Sequence, residues 1–366
     1  MSLLSFFDFK PAPFGLDIGE LSLKLVKLKT RGKKIFIDST GELALPPGII
    51  VDGEIKKPEE LIKQIHKLIK TAKGGKISTK EVVSVLPEPK TFIKLIQVLP
   101  VKDTDLVKAI EKEIERHIPM EISEMYFDWQ IIDNPLLAQQ DADKIYVLVG
   151  ACPKTIVDQY SSVLEQAGLT PLVFEIEAAT ITRCLMTEGQ KNADSNSAKI
   201  IIDFGAARTG IIVYDQNSIQ FSISIPISGA EITEAIAQDL SLSLKQAEEV
   251  KIVCGLDKKK CQGSLRKILH DRVDELVKNI KNTSNFYKNH FPYANKVGKV
   301  LIVGGGANLI NIDEVLSQKL DLPVESGNLF ANLSAPDGKT PIAKEKALSF
   351  ATAIGLALRG LNEKEL

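Results

Sequence analysis

A chain of 366 residues with 44% hydrophobic and 25% charged content has the composition of an ordinary folded protein long enough for two or more cores. Its formal net charge of −1 argues against nucleic-acid binding, and no run reaches the roughly 18 apolar residues of a membrane-spanning helix. Cys152, Cys184, Cys254 and Cys261 make no CxxC pair and His66, His117, His270 and His290 are scattered, so reduced thiols, no structural metal and a cytoplasmic location are expected.

The opening MSLLSFFDFKPAPF is apolar but lacks the basic flank and length of a signal peptide, and is expected to pack on the core. Strands are predicted at Phe14–Ile18, Leu21–Leu28 and Ile35–Ala44. A helix follows at Pro58–Ala72, with Leu61, Ile62, Ile65, Leu68 and Ile69 on one face, and Gly74-Gly75 ends it. A separate unit then reads as strands Glu81–Leu86 and Thr91–Leu99, helix Thr104–His117 capped by Asp103 or Thr104, and strands Met125–Ile132 and Lys144–Ala151 around the polar loop Asp133–Asp143. Helix Thr155–Ala167, strand Leu172–Glu177 and helix Ala178–Thr187 lead to the linker Glu188–Ser197.

The second half restarts with strands Lys199–Phe204, Arg208–Tyr214 and Ser218–Pro226. Helices Gly229–Leu240, Ser243–Val253 and a long Leu265–Asn289 follow, then strand Val300–Val303 and helix Asn308–Leu320. Ser334–Lys344 reads as a loop, and Ala347–Leu361 as a final helix apolar enough to be buried. Each half is thus three antiparallel-type strands, then helix, strand and helix: a duplicated architecture whose ligand crevice lies between the lobes. The expected division is 1–79 for the first lobe, 80–152 for an inserted subdomain, 153–198 back in the first lobe, 199–344 for the second lobe, and 345–366 for a helix returning to the first.

Asp17-Ile18-Gly19 and Asp203-Phe204-Gly205 open the two halves in the same way. A glycine there lets backbone N–H groups approach a ligand, successive N–H groups suit phosphate, and the neighbouring carboxylate can hold magnesium through water. One such turn is an ordinary hairpin sequence; two of them favour a two-lobed phosphate clamp. The third signal, Leu301–Asn308, is a strand followed by Gly304-Gly305-Gly306 and is generic for α/β folds when alone.

In this order the three signals resemble the actin/Hsp70/FtsA ATPase superfamily, where the first two loops hold phosphates and magnesium and the third lies under the adenosine. Within it, Glu113–Pro119 (EIERHIP) followed by Asp128-Trp129-Gln130, Phe174–Ala179 (FEIEAA) and Pro226–Thr233 (PISGAEIT) resemble the PilM family, actin-like components of type IV pilus assembly. Gly360–Leu366 shows no amphipathic membrane-binding tail of the FtsA type. The resemblance implies an α/β, actin-like (ribonuclease H-like) two-lobed duplicated fold with a strand–helix–strand–strand subdomain inserted as in FtsA.

It also implies ATP or ADP with magnesium as cofactors and at most slow ATPase activity. The implied partner is a PilN-like inner-membrane pilus protein bound through its cytoplasmic peptide by the inserted subdomain and adjoining lobe, with pilus motor ATPases and a homo-oligomer left open. Matching residues give Asp17 and Asp203 to magnesium, Gly19, Ser22 and Lys24 to the first phosphate loop, and Gly205 and Thr209 to the second. Glu248 and Lys251 match the ribose helix, Gly304, Gly305, Gly306 and Asn308 the adenosine loop, and Glu177 the residue that positions the attacking water. Glu20 departs from the family, which prefers a small hydroxyl residue beside the terminal phosphate, so Glu20 is expected to disfavour triphosphate there unless Arg208 offsets it. A nucleotide-free adaptor and, less favoured, a small-metabolite kinase are the alternative readings.

Overall fold

Alternating apolar residues build two sheets in the computed structural model, which describes residues 12–99, 103–118, 120–133, 144–187, 197–334 and 341–362. In chain order the first half comprises β1 (Phe14–Ile18), β2 (Ser22–Arg31), β3 (Lys34–Ala44), the short pair β4 (Ile50–Val51) and β5 (Glu54–Ile55), α1 (Pro58–Thr71), β6 (Lys73–Gly74), β7 (Glu81–Leu86), β8 (Phe92–Val98), α2 (Asp103–Glu115), β9 (Met125–Ile131), β10 (Ile145–Pro153), α3 (Lys154–Gln166), β11 (Thr170–Ile176) and α4 (Glu177–Leu185). The second comprises β12 (Ala198–Phe204), β13 (Thr209–Asp215), β14 (Ser218–Ile225), α5 (Gly229–Leu240), α6 (Leu244–Cys254), α7 (Ser264–Ile268), α8 (His270–His290), β15 (Val297–Val303), α9 (Ile312–Leu320), β16 (Val324–Ser326) and α10 (Ala351–Asn362).

The duplication is visible in strand order. The first sheet runs β11-β7-β1-β2-β3-β6 and the second β16-β15-β12-β13-β14-β8-β10-β9. In each, an antiparallel meander (β1-β2-β3 or β12-β13-β14) carries a parallel strand beside its first member (β7 or β15). This corrects one expectation: Glu81–Leu86 does not open the inserted unit but lies between β1 and β11 in the first sheet. Its burial on both faces explains the placement, since a parallel strand covered on both sides reads as a continuous apolar run. The strand–helix–strand–strand unit is β8-α2-β9-β10, with its own small core around Ile96, Ile110, Ile114 and Val147.

Local chemistry sets the element ends. In α1, Pro58 starts the helix, Glu59 and Glu60 suit its positive end, and Leu61, Ile65 and Leu68 are buried one turn apart. It stops at Thr71 because Lys73–Gly74 leaves to pair with β3, with Gly74 at φ +102°. The expected long helix Leu265–Asn289 is two helices, interrupted where Leu269 leaves helical geometry. Helix Asn308–Leu320 is shortened to α9, preceded by a tight turn at Gly305–Asn308, and the final helix opens with a 3₁₀ segment at Lys344–Phe350. Cys254 and Cys261 form a disulfide, against the expectation of reduced thiols throughout; Cys152 and Cys184 are free and buried. The left-handed backbone at Cys261 and Gln262 turns the chain back toward α6 and brings the two sulfurs together.

α10 is buried where the lobes meet, against α4 and β1. A side chain at Gly355 would strike the Thr180 carbonyl, and one at Gly15 the backbone of Ala353. No described helix is long and apolar enough to cross a membrane. The opening residues 1–11, the loop 134–143, the linker 188–196, residues 335–340 and 363–366, and the side chains of Asp103 and Thr104 lie outside the described set.

Candidate nucleotide cleft

The two Asp-x-Gly turns meet across a cavity of about 320 Å³ between the sheets. At the end of β1, Asp17 sits opposite Lys24 in the antiparallel register, and its carboxylate lies 3.5 Å from the Lys24 ammonium. Lys24 also donates to Ser22 Oγ at 2.8 Å. On the facing lobe, Asp203 pairs with Gly210, and Gly304 follows β15 at φ +86°. Any side chain on Gly304 would collide with the Asp203 carboxylate and the Phe204 carbonyl, so glycine there is a packing requirement. Glu177, first residue of α4, completes the group and accepts from Thr352 Oγ1 at 3.3 Å.

Four of the carboxylates that line this space, Asp17, Asp203, Glu177 and Glu88, are shifted upward. Burial raises the proton affinity of Asp17, with Lys24 opposing. Burial, then repulsion from Asp17, pushes Asp203 up to about 6. Burial, then Asp203 and Asp17, hold Glu177 well above the usual carboxylate range. Burial likewise raises Glu88, whose Oε1 accepts from Ser222 at 3.3 Å while Oε2 has no hydrogen-bond partner. A hard cation is the group that such a donor set fits. No three Asp, Glu, His or Cys side chains among the described residues converge to ligate a metal directly. Asp17 and Asp203 would suit a magnesium ion that keeps its water shell.

Of the residues expected from sequence, Asp17, Gly19, Ser22, Lys24, Glu177, Asp203, Gly205, Gly304 and Gly305 line this cavity. The amides of Gly19 and Gly205 do not point at a ligand, being bonded within their turns to the carbonyls of Ser22 (3.0 Å) and Asp203 (3.1 Å). Glu20, Leu21, Ala206 and Ala207 supply the turn backbone that faces the space. Thr209 is buried behind it, donating to the Ile227 carbonyl at 2.5 Å. Glu248 and Lys251 pair at 2.7 Å and lie outside the lining; Lys251 bonds the Gly229 carbonyl at 3.0 Å, bracing the helix start to which the second turn is hydrogen-bonded. Gly306 sits against the Phe204 ring, and Asn308 is exposed and bonded to the Gly305 carbonyl at 3.2 Å. Glu20 accepts from the Gly53 amide at 2.9 Å, so its carboxylate is tethered to the β4–β5 turn. Sequence reading missed Glu88, Tyr160 and Thr352 in the lining. Glu88 lay hidden because it sits in the short turn Glu88–Lys90 after β7, the strand assigned to the wrong unit; Tyr160 and Thr352 arrive from helices that carry no motif.

A second groove, of about 310 Å³, separates the inserted unit from the first lobe. Phe127, Trp129 and Leu148 face Val173, Phe174 and Ile176 across it. Glu175 at its side is gripped by both terminal nitrogens of Arg183.

The sequence profile of the family described as type IV pilus assembly protein PilM matches residues 15–361. The chain belongs to the PilM family. This PilM-family chain has the fold of a chain in a PilM–PilN type IV pilus biogenesis complex, with a TM-score of 0.80, 24% identity, and coverage of 96% of this chain and 98% of that one. MreB5 of Spiroplasma citri, solved with AMPPNP, gives a TM-score of 0.54 at 13% identity, covering 97% and 98% of the two chains. Cell division protein FtsA of Enterococcus hirae is 26% identical over 262 residues, which are 66% of this chain and 57% of FtsA. The chain thus spans less than two thirds of the curated relatives it matches. The actin-like α/β fold and the FtsA-like relationship are as the sequence motifs implied.

Proposed function

We propose that this chain binds ATP or ADP with magnesium in the cleft and acts in type IV pilus assembly as the cytoplasmic partner of a PilN-like inner-membrane protein. The meeting of Asp17 and Asp203 from the two lobes, with Glu177 beside them, carries the nucleotide reading. Lys24 offers a cation to a phosphate, and the two aspartates hold the water shell of a cation. Bound magnesium would supply charge neutralisation for the phosphates. Glu177 is the candidate for orienting a water; burial, Asp203 and Asp17 favour its neutral form, which cannot take a proton from that water, in line with at most slow turnover. The bond from the Gly53 amide to the Glu20 carboxylate weakens the charge objection that favours a nucleotide-free adaptor.

Calorimetry with magnesium and ATP tests the site. Asp203→Ala should weaken binding at least tenfold, about 1.4 kcal/mol; unchanged affinity removes the assignment. The groove beside Trp129 supports the partner reading, because apolar side chains opposed across a trough suit an extended peptide. Titrating the partner's N-terminal peptide should show at least tenfold weaker binding to Phe127→Ala than to the native chain, with ATP affinity retained. Equal peptide affinity would place the partner elsewhere.

A further inference from the structure

A third trough, of about 670 Å³, runs between β8, the end of α2 and the segment following α8. The nucleotide and peptide readings do not use it. It has two properties that belong together. The first is charge. Among the described residues Lys94, Lys112, Arg116 and Lys144 line it with a single carboxylate, Glu113, although the chain as a whole carries −1. Glu113 is already engaged by Arg116 at 2.7 Å and His117 at 3.4 Å. Lys94 lies 3.3 Å from His117 Nδ1, and both are held below their ordinary proton affinity by burial, His117 also by the Lys94 charge. An anion here would add a partner of opposite sign to this cluster of cations.

The second property is an open strand edge. One edge of β8 pairs with β10 from Phe92 to Val98. The other meets β14 at one position only, Phe221 opposite Lys94, after which the two strands part. Beyond that point no described strand pairs the second edge, and Leu95 to Leu99 line the trough along it, with the Leu95, Ile96 and Val98 side chains buried in the cores to either side. Exposed Phe286, stacked on His290 at 4.2 Å between ring centres, forms an aromatic shelf on the opposite wall.

We propose that this trough binds an acidic extended segment of a partner protein, which adds a strand to the free edge of β8. Its carboxylates meet Lys94, Lys112 and Arg116, and an apolar side chain covers Phe286. Main-chain pairing gives the affinity and the cations select the sequence. A symmetric contact with a second copy is disfavoured, since a like-charged patch would face itself.

Fluorescence anisotropy on the full chain tests this. The probes are fluorescein-labelled decapeptides alternating glutamate with leucine or phenylalanine, the same peptides with lysine for glutamate, and a ten-nucleotide oligothymidylate. The acidic peptides should bind at least tenfold more tightly than the lysine peptides and the oligothymidylate. Hydrogen exchange at Leu95–Val98 should slow on binding. Lys112→Glu with Arg116→Glu, both exposed, should weaken acidic-peptide binding at least tenfold while leaving magnesium–ATP affinity unchanged. Equal binding of the two peptide types, tighter binding of the oligothymidylate, insensitivity to the double variant, unchanged exchange at β8, or a dimer in light scattering that the double variant dissolves would each overturn the proposal.

Discussion

Asp203 concentrates the electrostatics of the cleft. Its folded-state value near 6 lies above the ordinary 3.8, so the folded chain holds a proton that the unfolded chain has released between those values. The stabilisation is present in full below about pH 4 and is lost as pH rises through about 6. Melting temperature of the ligand-free chain should therefore fall between about pH 4 and 6, and Asp203→Asn should flatten that slope. Magnesium–ATP affinity should move the opposite way, weakening as pH drops below 6 and the carboxylate becomes protonated. Glu20 gives a second prediction at this scale. Because Gly53 holds its carboxylate, Glu20→Ser should leave ATP affinity within about threefold in calorimetry, where a residue facing the terminal phosphate would give a larger change. The aspartates and glycines of the turns were legible in sequence because their spacing is local. Glu88 was not, since its position depends on β14 lying across the cleft.

At the scale of elements, amphipathic patterning located the strands and helices but not their partners. β7 shows why: an apolar run buried on both faces carries no period that says which sheet receives it. The interruption at Leu269 was equally silent, because apolar residues continue in register through it. Three-residue β16 is too short to show alternation. The disulfide between Cys254 and Cys261 depends on a turn that puts Gly255, Cys261 and Gln262 at positive φ, a geometry that the cysteine spacing alone did not announce. Close contact between α10 and α4 is a tertiary fact of the same kind. Gly355→Val would force a side chain into the Thr180 carbonyl and should destabilise the chain by about 1–3 kcal/mol in urea unfolding. A change within experimental error would mean that the helices separate at little cost.

Across the whole molecule, each lobe has its own core, and a shared cluster around α10 and α4 joins them. The inserted unit extends the second lobe's sheet through a single strand pair while its groove opens on the first lobe. That groove contains Trp129, the chain's one tryptophan, half-buried on β9. Nature has thereby fitted the molecule with a private optical probe. Intrinsic emission excited at long wavelength comes from this one place, so a spectrum of the unlabelled chain is a local measurement. A peptide settling over Trp129 should shift that emission to the blue. Magnesium–ATP added alone should leave it unchanged unless nucleotide moves the inserted unit against the first lobe, in which case the colour of the tryptophan is a running record of that movement.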